Sequence, residues 1–167
     1  MAEALLPKRE LKVEENLHYV KFDENYELAN SGLTDWTQST NPNTEDGQYI
    51  GEKNGHSNMT GYKPTVAYSG IAFPGDPFNY WLYKVGKEEM VSQTFEEVEV
   101  ETWHPVAESE GTYYAYHRIY AVQPSNPGSG EGGGKLAIEG TFAQQGSVEK
   151  GTFNISTKTF TKEEGVK

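Results

Sequence analysis

Apolar and acidic positions alternate along Phe95-Glu96-Glu97-Val98-Glu99-Val100-Glu101-Thr102-Trp103. In a strand, successive side chains point to opposite faces. Val98, Val100 and Thr102 then share one face, and Glu97, Glu99 and Glu101 share the other. Similar patterns predict strands at Leu17–Phe22, at Leu33–Thr37 with Trp36 as an anchor, and at Tyr62–Phe73, where Pro64 places the start on an edge. Asp76-Pro77 predicts a helix, with Asp as N-cap and Pro at the first helical position. Phe78, Trp81, Leu82 and Val85 then form one apolar face, and Gly86 closes the helix. Further strands are predicted at Thr112–Gln123, Lys135–Ala143 and Ser147–Thr157, with Gln144-Gln145-Gly146 as a hairpin turn. Thr112–Gln123 is aromatic on both faces and reads as central. About seven strands and one helix imply a mainly β protein: a β-sandwich or barrel with one short flanking α-helix.

Three segments lack this order. Residues 1–16 read as a charged N-terminal arm, free to order on a partner. Residues 40–61 read as a long loop, with tight-turn signals at Asp46-Gly47 and Asn54-Gly55. Loops this long inside a domain are usually functional or disordered, and Tyr49 and Ile50 in its middle call for a covering surface. Pro124–Gly134 reads as a flexible Gly-rich linker. The expected organisation is one domain over 17–161, preceded by the arm and followed by a short tail at 162–167.

Composition narrows the function classes. The 167 residues fit one domain that buries roughly 70% of its unfolded surface. The net charge of −11 argues against holding nucleic acid by phosphate neutralisation, although not against letting it pass. There is no cysteine, so disulfide and thiolate chemistry are excluded. No apolar run approaches the ~20 residues of a membrane helix, and residues 1–11 lack the apolar stretch of a signal peptide. The chain is expected to be made and kept in a cytoplasm, without membrane contact. The sequons at Asn58 and Asn154 are then coincidental.

Catalytic chemistry is not evident. His18, His56, His104 and His117 are scattered, and none has metal-ligand spacing. Asp23-Glu24-Asn25 lacks the calcium-loop pattern, and Gly128–Gly134 lacks the Lys-Ser/Thr of a phosphate cradle. Glu97 and Glu101 stand ~13 Å apart on one strand, too far for a glycosidase pair. No catalytic residue, metal or cofactor is expected. The tyrosines with Trp36, Trp81 and Trp103 read either as core or, if their rings are displayed, as a carbohydrate- or receptor-binding sandwich. The acidic stripe reads either as a solvated strand face or as a surface that repels something.

The order of several features is more specific. Asn41-Pro42-Asn43-Thr44-Glu45 and Gln48-Tyr49-Ile50-Gly51-Glu52 are followed by Thr60-Gly61-Tyr62-Lys63-Pro64 and Gly75-Asp76-Pro77-Phe78. The chain then finishes Lys150-Gly151-Thr152-Phe153-Asn154 to Lys158-Thr159-Phe160-Thr161. From Leu33 to Thr161 this resembles the major tail tube proteins of long-tailed bacteriophages and related prophages. The resemblance implies a non-enzymatic virion subunit, made in the bacterial host cytoplasm. It would assemble into hexameric rings stacked as a hollow tube. The tape measure protein would fill the lumen, terminator and distal tail proteins would cap the tube, and DNA would pass without specific binding. The arm and the long loop or hairpin would reach the adjacent ring, making Leu5, Leu6, Tyr49 and Ile50 inter-ring contacts. Glu97, Glu99 and Glu101, with Glu139 as a further candidate, would line the bore and keep a polyanion from sticking.

Overall fold

The computed structural model describes residues 6–165. Ten strands and one helix follow in chain order: β1 Asn16–Lys21, β2 Glu27–Leu28, β3 Leu33–Ser39, β4 Pro42–Gly47, β5 His56–Tyr62, β6 Thr65–Ile71, α1 Pro77–Lys87, β7 Thr94–Pro105, β8 Thr112–Ser129, β9 Ala137–Asn154 and β10 Thr159–Lys162. The fold is mainly β with one helix, as the patterning predicts. Eight strands form one antiparallel sheet in the order β2-β1-β7-β8-β9-β6-β3, with β10 added alongside β9. β4 and β5 form a separate two-stranded ribbon.

The sheet curls, and its inner side holds the main core. Val20, Val66, Tyr68, Phe95, Tyr120, Val122 and Phe142 pack there against Phe78, Leu82 and Val85 of α1. Their aromatic rings meet edge-on or tilted, as between Phe95 and Phe142 at 4.8 Å. A second cluster of Tyr19, Val98, Val100, Ala115 and Phe153 lies on the opposite face of β1, β7, β8 and β9. Its partly buried neighbours include Leu28 of β2 and Phe160 of β10.

The helix starts where Asp76 caps it. Asp76 Oδ1 accepts from the Asn79 backbone N–H at 3.0 Å, a contact worth about 1 kcal/mol. Buried Asn79 also donates to the Ile71 carbonyl at 2.9 Å and accepts from the Phe73 N–H at 2.7 Å. These bonds fix the helix to the end of β6. The helix runs past Gly86 to Lys87, so Gly86 is not its terminator. A Cβ at Gly86 would lie 2.5 Å from the Pro127 Cβ. The glycine is therefore required by close packing on β8.

The strand boundaries differ from the sequence expectation in three places. The residues read as a turn at Gln144-Gln145-Gly146 lie inside continuous β9. They coincide with a shift in the β8–β9 register between His117↔Glu149 and Ile119↔Gln145. The two extra residues of β9 are absorbed as a bulge, with Gly146 at φ +75°. The supposed linker at Pro124 is the continuation of β8, which stays paired to β9 as far as Ser129. Residues 40–61 are mostly the β4–β5 hairpin rather than a structureless loop.

Candidate functional site

The acidic alternation is real, but its direction is not outward. Glu97, Glu99 and Glu101 lie on the same side of β7 as core residue Phe95, and opposite Val20, His18 and Asn16 of β1. Glu97 is wholly buried. His18 Nδ1 lies 2.7 Å from one of its oxygens, and Arg118 reaches the other at 3.5 Å. A carboxylate only accepts, so Nδ1 of His18 carries the proton. Arg118 also donates to Glu99 at 2.9 Å, and Asn16 Nδ2 donates to Glu99 at 2.7 Å. Burial would lower the affinity of Arg118 for its proton. Glu97 and Glu99 outweigh that and hold it above its ordinary value. Glu101 lies 3.2 Å from His104 Nδ1. The three carboxylates are thus matched inside the subunit and do not form a bare stripe. An uncompensated buried charge costs several kcal/mol, which is why the sheet supplies Arg118 and His18.

Each of the four scattered histidines has a glutamate partner. Besides His18–Glu97 and His104–Glu101, His56 lies 3.3 Å from Glu52 and His117 lies 3.3 Å from Glu149. The His18 and Glu97 positions are 79 residues apart, so no local motif signals the pairing. No group of three or more metal-ligating side chains occurs among the described residues.

The outward face of β3, β6, β9 and β8 has a different character. Cross-strand registers place Asp35, Ser69 and Glu139 in one row, and Thr37, Ala67, Thr141 and Gln123 in the next. These positions alternate with buried Val66, Tyr68, Ile138, Phe142 and Val122, so they point away from the core. Glu139 is exposed. The two rows contain small or polar side chains and two carboxylates, with no lysine or arginine.

The β4–β5 ribbon continues the β3–β6 ladder beyond the sheet. Ser39 pairs with Thr65 at the end of that ladder, and Pro42 pairs with Tyr62 at the start of the ribbon. Asn41, at φ 44°, turns the chain between them. Its side chain donates to the Lys63 carbonyl at 3.1 Å and to Thr65 Oγ1 at 3.0 Å. Six strand residues extend ~20 Å, and Tyr49 and Ile50 are fully displayed at the tip. Leu6 is also exposed, while Leu5 lies outside the described residues. Within the region read as an arm, Val13–Glu15 form a single 3₁₀ turn, and Arg9 is paired with Glu15.

The tryptophans are not free platforms. Trp36 and Trp81 pack against the main core, and Trp103 Nε1 donates to Asn16 at 2.9 Å. No helix among the described residues is long and apolar enough to cross a membrane.

No family model matches the chain, and no curated protein matches it. Solved structures do. A chain in the virion of a native gene transfer agent particle superposes with a TM-score of 0.57 at 14% identity, covering 84% of this chain and 98% of that one. A chain in the tail of an empty gene transfer agent particle, with C6 symmetry, gives a TM-score of 0.51 at 14% identity, covering 83% and 97%. This chain shares their fold. A chain of the six-fold symmetrised baseplate of the anti-feeding prophage aligns at 0.46 and 11% identity over 93% and 99%, too distant to support more.

Proposed function

We propose that this protein is a structural, non-catalytic subunit of a phage-type tail tube. It forms hexameric rings that stack around a passage for DNA. The observation that carries this reading is the near full-length superposition on a chain from a tail of C6 symmetry. The ribbon that leaves the sheet and ends in exposed Tyr49 and Ile50 supports it, since an apolar tip on such a projection needs a neighbour. By the same reading the subunit belongs to a virion tail and is made in a bacterial host cytoplasm. A tape measure protein would occupy the lumen during assembly, and terminator and distal tail proteins would close the ends.

The passage is assigned here to the outward face of β3, β6, β9 and β8, with Asp35 and Glu139 as its charges. Glu97, Glu99 and Glu101 are spent on internal pairs and do not serve as the lining. Duplex DNA carries one charge per ~1.7 Å of its axis. A wall with carboxylates and no cations gives it nothing to bind, and screening over ~8 Å limits the repulsion to the nearest side chains.

Electron microscopy of the purified chain over a rising concentration series tests the proposal. Six-fold rings and hollow stacked tubes are expected. A particle without a central channel, or a monomer at every concentration, overturns it.

A further inference from the structure

A partly exposed stripe on α1 has no role in the core. Tyr80, Tyr83, Lys84 and Lys87 recur at helical spacing on the side away from Phe78, Leu82 and Val85. The Tyr80 and Tyr83 rings stack at 6.4 Å, with Lys84 over Tyr80 and Lys87 over Tyr83, each 5.7 Å from the ring centre. Lys87 also donates to the Gly128 carbonyl at 3.1 Å. Tyr83 and Leu136 flank Gly128 closely, and the Leu136 carbonyl accepts from Ala72, next to Phe73. Tyr80, Leu136 and Phe73 are all 43–51% exposed. These elements offer partly exposed apolar area together with two ammonium groups, on a chain of net charge −11.

The β4–β5 ribbon has the complementary character. Its tip displays Tyr49 and Ile50, at 71% and 108% exposure. Glu45 and Asp46 lie exposed on β4, and Glu52 lies in the tip, against a single lysine, Lys53. The Glu52 carboxylate accepts from the Tyr49 N–H at 3.1 Å, which holds the tip in shape. A two-stranded ribbon outside the sheet is marginal on its own, so a docking partner would stabilise it.

We infer that the ribbon of one copy docks on the α1 stripe of a second copy. Tyr49 and Ile50 would lie on Phe73, Tyr80 and Leu136, and one of Glu45 and Asp46, which lie on opposite faces of β4, would face Lys84 and Lys87. The two surfaces differ, so the contact is heterologous and propagates from copy to copy instead of closing a two-fold dimer. The inference rests on the tube-subunit reading and names the surface that receives the projection.

The test places a benzophenone amino acid at position 49 of the full chain. Isotopically heavy and light protein are mixed, and cross-linked peptides are read by mass spectrometry alongside microscopy of the same sample. Mixed-isotope links from position 49 to residues 73–87 are expected. K84E/K87E should lower their yield about tenfold, the scale of losing an exposed ion pair and gaining a like-charge contact. Either E45K or D46K, whichever carboxylate lies on the docked face, should restore it when added to K84E/K87E, and failure of both overturns the contact. An unchanged helix signal in circular dichroism confirms that these surface changes leave the fold intact. Tubes whose links map elsewhere overturn this contact and leave the tube reading standing. Helix links in particles without a channel keep the contact and overturn the tube reading. Absence of intermolecular links at any concentration, or a yield indifferent to K84E/K87E, overturns the contact.

Discussion

The Trp36 ring lies nearly parallel to the His18 imidazole, with 4.5 Å between centroids. The two residues belong to β3, at one edge of the curled sheet, and β1, near the other. Trp36 also meets Phe142 at 5.1 Å, so the same ring closes the seam and caps the core. Trp36→Ala is expected to cost about 3 kcal/mol of stability, measured by urea unfolding. A loss under about 0.5 kcal/mol, the scale of an ordinary surface change, would mean that the seam is held by something else.

Arg118 is the cation that makes the buried acids tolerable. Arg118→Met should destabilise the fold by about 3 kcal/mol, because Glu97 is left without its full charge partner. The double variant Glu97→Gln/Arg118→Met should lose less than the two single losses combined. A thermodynamic cycle from chemical denaturation checks this, and strict additivity would contradict the pairing.

Burial raises the phenols of Tyr26, Tyr68 and Tyr120 above their ordinary value, with Glu96 adding to the effect at Tyr26 and Glu97 at Tyr120. The folded state therefore keeps protons that the unfolded chain releases. This contribution is complete below the unfolded tyrosine value of ~10 and declines as pH rises above it. Tyrosinate absorbance should appear in two stages, exposed phenols first. The second stage should coincide with loss of circular dichroism. A single smooth titration of all the tyrosines would contradict it.

Charge on the outward face of β3 and β9 should govern how an assembled tube treats DNA. The exposed double variant Asp35→Lys/Glu139→Lys should assemble with unchanged stability, within about 0.5 kcal/mol. Its tubes should retain duplex DNA at low salt and release it as salt rises, followed by co-sedimentation. DNA left wholly free by these tubes would argue that another face lines the passage.

Local patterns were legible where local physics decides them. Asp76-Pro77 marks the helix start because capping involves neighbours in sequence, and the alternation at Phe95–Trp103 marks β7 for the same reason. The direction of the Glu97 face was not legible. Alternation separates two faces without saying which is inside, and the decision came from His18 and Arg118, which lie far away in the chain. Gln144-Gln145-Gly146 has turn chemistry, yet β8 pairs along both sides of it and keeps the strand running. Gly86 looked like a helix end because the packing demand of Pro127 lies on another strand. Whether the tryptophans form core or platforms was not legible, because composition cannot distinguish a buried ring from a displayed one.

The paired strands β8 and β9 each run 18 residues without interruption by a turn. They contribute Tyr120, Val122 and Phe142 to one apolar cluster, and Ala115 and Phe153 to the other. Melting either cluster would strip cross-strand bonds from the same two segments that support its counterpart. The eight-stranded sheet is therefore expected to lose its order in one concerted step, with no half-melted sheet for a neighbour to capture.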